Sequence, residues 1–185
     1  MGAQEMGAQE MGAQEMGAPV PAHEHEEHAH KKLVIIASSN GLEAAWEQLI
    51  IATTGAAMGM DTTVFFTFWG LLLLVKKERR ITGENWMQKM VAMMDHPGVT
   101  GLKMSKMNFV GAGPKMMRKI AKDHKVASPG DLLQMAVDMG VKLLPCQMTM
   151  EMFGLKPEDM IDGIGEPVGA AAMLKEAQDA VTFFI

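Results

Sequence analysis

A chain of 185 residues, 48% hydrophobic and 21% charged, is long enough for one domain with a proper core. Its one cysteine excludes an internal disulfide and any CxxC motif, and points to a reducing, cytoplasmic setting. The net charge of −5 hides an asymmetry: residues 76–125 hold 12 Lys+Arg against 4 Asp+Glu, and the rest of the chain is net −13. A basic middle suits an anion or an acidic partner. With no recognition motif beside it, nucleic acid is not expected.

Residues 1–18 repeat Met-Gly-Ala-Gln-Glu three times and end in Met-Gly-Ala-Pro. A five-residue period fits neither a helix face nor a strand face, so this tail is expected to be disordered. His23, His25, His28 and His30 follow among glutamates. Imidazoles mixed with carboxylates can hold a divalent transition metal. A flexible tract lacks the surrounding shell that fixes a specific site, so metal binding here is the weaker reading. Residues 1–30 are therefore set apart as a tail, and residues 31–185 as an α/β domain.

Leu33–Ala37 is a continuous apolar run, as in a strand covered on both faces. Ser38-Ser-Asn40-Gly41 makes a turn, and Ala45, Leu49, Ala52 and Ala56 then recur at helical spacing. Thr62–Phe68 reads as a second strand, which completes a βαβ unit with a parallel crossover. The turn is not GxGxxG and no P-loop is present, so nucleotide chemistry has no support and no cofactor is expected. Val64–Val75 is the most membrane-like stretch. Its twelve residues fall short of the roughly 20 needed to span a bilayer. It is read as a buried strand with an apolar turn or helix start, with interfacial membrane attachment as the minor alternative.

Residues 76–125 are the least regular part. A short helix is expected over Trp86–Met94, then a glycine-punctuated loop, then a helix from Pro114 to Lys122. The loop carries Lys103 and Lys106 and reads as a lid. Ser128-Pro129-Gly-Asp131 is a helix start, with Leu132, Leu133, Ala136 and Val137 on the buried face. Val141–Leu144 is the next strand, Ile161–Ile164 a short edge strand, Ala170–Gln178 the last helix and Val181–Ile185 the last strand. The expected architecture is a three-layer α/β/α domain with a mainly parallel sheet of four to five strands.

Cys146 stands where the strand Val141–Leu144 meets a helix-competent segment. Backbone N–H groups and the positive end of a helix dipole lower a cysteine's pKa and favour the nucleophilic thiolate. Ligands in parallel sheets collect at the carboxyl ends of strands, where Ser38–Gly41, Trp69 and Cys146 all fall. The alternative is an inert thiol acting as a small apolar filler in an oligomeric binding or scaffold protein. The 21 Met are read first as adaptable core and contact residues.

Three segments carry a family resemblance: Gly59-Met-Asp-Thr-Thr-Val-Phe-Phe-Thr-Phe-Trp-Gly70, Leu102-Lys-Met-Ser-Lys-Met-Asn108, and Cys146-Gln-Met-Thr-Met-Glu-Met-Phe-Gly-Leu155 with Ile161-Asp-Gly163. Over residues 31–185 the chain resembles the DsrE/DsrF-like sulfur-relay proteins, in the DsrE-like branch often labelled peroxiredoxin-like. The resemblance implies a DsrEFH-like fold, homo- or hetero-oligomers, and a cysteine that takes up sulfane sulfur as a persulfide. Only Cys146 matches that cysteine, and Glu43 stands where the family has an acidic residue. The implied partner is a TusA-like sulfur carrier or another sulfur-relay protein. The charge of Lys103 and Lys106 and their place in the loop suggest closure over an anionic persulfide or thiosulfonate. Trp69 and Met148 would restrict water. Peroxiredoxin chemistry is disfavoured, because Lys142-Leu-Leu-Pro145 offers no hydroxyl at the peroxidatic spacing and there is no resolving cysteine.

Overall fold

The computed structural model describes residues 31–76, 98–99, 102–104 and 112–185. The repeat tail, the histidine tract, the expected helix at 86–94, Lys106 and most of the expected lid lie outside the described residues.

Four strands, β1 (Lys32–Ala37), β2 (Asp61–Phe66), β3 (Lys142–Pro145) and β4 (Ala180–Phe184), form one parallel sheet in the order β3-β2-β1-β4. The apolar run of β1 has its physical reason here: β1 is central, bonded to β2 on one side and β4 on the other. The helices are α1 (Leu42–Ala57), α2 (Ala112–Asp123), α3 (Pro129–Asp138), α4 (Gln147–Phe153) and α5 (Ala170–Glu176). α3 starts where the sequence places it. Ser128 Oγ accepts from Asp131 N at 3.2 Å and the Asp131 carboxylate accepts from Ser128 N at 3.1 Å, a reciprocal capping box.

The three layers are unequal. On the Leu33 and Ile35 face, α1 and α3 build the main core with Leu42, Leu49, Phe66, Leu133 and Leu143. On the Val34 face the described residues form a second, smaller cluster of four buried residues, Val34, Phe65, Cys146 and Met173 of α5, with Ile36, Leu144, Val168, Ala177 and Ala180 packed against it. β4 is a sheet edge among the described residues, and Val181, Phe183 and Phe184 are exposed on it.

Two expectations need correction. β2 ends at Phe66 instead of reaching Phe68, because Phe68 adopts φ +43° and begins a 3-10 helix, Phe68–Leu74. Residues 161–164 form no strand. Met160 makes an isolated antiparallel bridge to Val75, and Val168 a parallel bridge to Cys146. The turn at Gly163, with φ +83°, and Pro167 break the segment between those two bridges.

Candidate functional site around Cys146

The carboxyl edge of the sheet is assembled by close backbone approaches. Gly70 N donates to Ser38 O at 3.1 Å, and a side chain at Gly70 would run into the Ala37 carbonyl. Only glycine lets the 3-10 helix after β2 lie this close to the end of β1. Thr149 closes the other side: its hydroxyl meets Thr67 Oγ1 at 3.2 Å and accepts from Phe68 N at 3.2 Å. This fully buried threonine ties the β2 end to α4. It also braces Phe68 in a conformation that bulky residues rarely adopt.

Cys146 follows β3 directly and is the N-cap residue of α4, the strand-to-helix junction expected from sequence. Its N–H donates to Phe66 O at 2.9 Å, and its carbonyl accepts from Met150 N at 3.0 Å. One expected feature is altered: the first helical N–H, that of Gln147, is spent on Val168 O at 3.0 Å. The remaining first-turn donors belong to Met148 and Thr149. Cys146 is 4% exposed and clusters with Val34, Phe65 and Met173. The cover is thin, for Met173 is the only buried residue of the seven in α5.

The other candidate residues fall along the same edge in two groups. At the β1 end, Asn40 is half-buried, and Glu43 sits in the first turn of α1 with Oε2 shielded from solvent. A carboxylate there is favoured by the helix dipole. Lys103 joins them through its backbone, whose carbonyl accepts from Leu42 N at 2.8 Å, while its side chain is exposed. The second group is aromatic and methionine-rich: Trp69 stacks on Phe153 of α4 with ring centroids 5.5 Å apart, and Met148 is exposed on α4. The backbones of these residues converge, but the Cys146 side chain packs in the second cluster and Phe153 in the main core. Lys106 lies outside the described residues.

Sequence reasoning missed Thr149, Phe68 and Met173. A lone threonine in a first helical turn carries no signal of a cross-link 82 residues away. Nor does spacing show that Met173 joins the thiol's cluster. No group of three or more His, Cys, Asp or Glu arranged for a metal occurs among the described residues, and the histidine tract lies outside them.

A parallel α/β sheet with a cysteine at the carboxyl end of an outer strand defines the class of protein. Residues 29–184 match the DsrE/DsrF/DrsH-like family, and the chain belongs to it. It is 37% identical over 156 residues to the uncharacterized protein YrkE of Bacillus subtilis, covering 84% of this chain and 97% of that one. It is also 37% identical over 153 residues to the sulfur carrier protein DsrE2 of Allochromatium vinosum, covering 81% and 94%. The crystal structure of YchN from Escherichia coli shares the fold, with a TM-score of 0.51, 13% identity, and 84% and 99% coverage. Family and relative together support a sulfur-relay role. No described helix is long and apolar enough to cross a membrane.

Proposed function

We propose that Cys146 is the sulfur-carrying residue of a cytoplasmic sulfurtransferase or carrier. The Cys146 thiolate attacks the outer sulfur of a donor persulfide, the donor's S–S bond breaks, and the donor leaves as a thiolate. The acceptor's thiolate then attacks the outer sulfur of Cys146-S-SH and regenerates the Cys146 thiolate. Neither step has net oxidation, so one cysteine suffices. With tetrathionate as donor, the same attack gives a Cys146 thiosulfonate and releases thiosulfate.

The observation that carries this reading is the place of Cys146, directly between β3 and α4 at the sheet edge where α/β proteins take their ligands. Burial is part of the mechanism: a persulfide is reactive, and a thin apolar cover keeps stray thiols from it. Transfer requires local opening of that cover, and a segment held by few buried contacts opens at low cost. In this reading the acceptor is a TusA-like sulfur carrier or another sulfur-relay protein. The exposed apolar residues of β4 support homo-oligomer formation, because an unpaired apolar edge favours association.

Burial in an apolar cluster also favours a second reading, an inert Cys146 in a binding or scaffold protein. Intact mass after treatment with polysulfide or tetrathionate separates the two. The carrier gives reductant-labile adducts on the folded chain and none on Cys146→Ser. A thiol that reacts only after denaturation would leave the scaffold reading standing.

A further inference from the structure

The basic middle of the sequence is not absorbed by the sulfur chemistry, and part of it borders a cavity on the opposite face of the sheet from Cys146. The cavity holds about 650 Å³. That lies within the roughly 300–1,000 Å³ typical of sites for small organic molecules. Its apolar lining comes from Trp46 of α1, Val99, Ala121 of α2, and Val126, Ala127 and Pro129. The indole of Trp46 is fixed, because Nε1 donates to Ala127 O at 2.8 Å.

Among the described residues the charged lining is one-sided: Arg118, Lys122 and Lys125 against one acid, Asp131. That acid is engaged by the helix cap, accepting from Ser128 N at 3.1 Å and Ser128 Oγ at 2.7 Å. The Arg118 guanidinium is anchored through Nη2 to Leu102 O at 3.1 Å. An anchored guanidinium with two lysines at the mouth of an apolar cavity suits one negative head group on an apolar body.

We propose that this cavity is a binding site for a small amphipathic organic anion, a carboxylate carried on an apolar chain. The carboxylate meets Arg118, Lys122 and Lys125, and the chain lies against Trp46, Val99 and Val126. The site is independent of Cys146, since α1 and α3 cover the Leu33 and Ile35 face and the thiol packs on the Val34 face.

The test is isothermal titration of the full-length protein with sodium decanoate, kept below its micelle concentration, and with decanol. Decanoate is expected to saturate at one per chain, and decanol to bind at least about tenfold more weakly for want of the charge contact. Lys122 and Lys125 are exposed, so Lys122→Glu with Lys125→Glu removes no buried contact, and far-ultraviolet circular dichroism checks that the fold is kept. That double variant is expected to weaken decanoate about tenfold. Val126→Asp, also at an exposed position, sets a carboxylate in the cavity and is expected to do the same. Cys146→Ser is expected to bind like the parent chain, so failure of the sulfur-carrier reading leaves this site standing. The proposal is overturned by absence of saturable decanoate binding, by equal affinity for decanol, or by unchanged binding in both cavity variants. Sedimentation with phosphatidylglycerol vesicles in the absence of decanoate binding also overturns it, and assigns the cations to a bilayer surface.

Discussion

The two faces of the sheet are built to different standards. The Leu33 and Ile35 face carries two helices and most of the buried side chains, and it is the face that holds the structure together. Among the described residues, the Val34 face has four buried hydrophobic residues and a seven-residue helix whose one buried residue is Met173, and it carries the thiol. Deep packing resists opening, whereas a thin layer opens locally without global unfolding. In the proposed carrier, the sulfur chemistry lies on the face with fewer described buried contacts.

Truncation on each face should separate these roles. Leu49→Ala empties a fully buried position beneath α1 and is expected to cost about 3 kcal/mol, read from denaturant unfolding. Met173→Ala is expected to cost less, about 2 kcal/mol, yet to accelerate alkylation of Cys146 several-fold under native conditions. Equal alkylation rates in Met173→Ala and the parent chain would show that α5 is not the cover. Gly70→Ala drives a methyl into the Ala37 carbonyl and is expected to cost about 2 kcal/mol, with loss of the Trp69 environment in near-ultraviolet circular dichroism.

Thr149→Val removes the hydroxyl that bridges Thr67 and Phe68, and is expected to cost about 1 kcal/mol. If Trp69 fluorescence and Cys146 reactivity stay unchanged, the brace between β2 and α4 does not position the site. The smallest effect is electrostatic and belongs to the well-packed face. Hydrogen bonds from the Ser128 side chain and backbone hold the Asp131 carboxyl below its ordinary value of 3.8. A lowered pKa in the folded state means stability that is present above pH 3.8 and lost as pH falls through the folded value. Acid unfolding of Asp131→Asn should therefore lack that part of the pH dependence below pH 4.

Much of this structure is legible in the chain. The run Leu33–Ala37 reads as a strand covered on both faces, because it is apolar throughout and β-branched in its middle, and it is the central strand bonded on both sides. Ser128-Pro129-Gly-Asp131 announced a capped helix, since each residue type performs one task of a helix start. The position of Cys146 followed from the strand before it and the helix after it. These are local rules, acting over a few residues.

What escaped the sequence depends on distant segments meeting. Phe68 gives no sign of a positive φ, because the brace that holds it is Thr149, brought in by a different βα unit. The segment after Met160 reads as a strand by composition, but its backbone N–H groups donate to separate places, Ile161 to Leu74 O, Gly165 to Leu143 O and Val168 to Pro145 O. Which face of the sheet receives the thiol depends on the register of β3 against β2, and on α5 arriving from beyond Gly169. Composition and spacing thus determined that a thiol stands at a strand-to-helix junction in a parallel α/β sheet. Only the tertiary structure decided that it is covered, that its cover is the smaller of the two described clusters, and that Arg118, Lys122 and Lys125 border a cavity on the other face. Burial and pairing are properties of distant segments in contact, and no single stretch of chain encodes them.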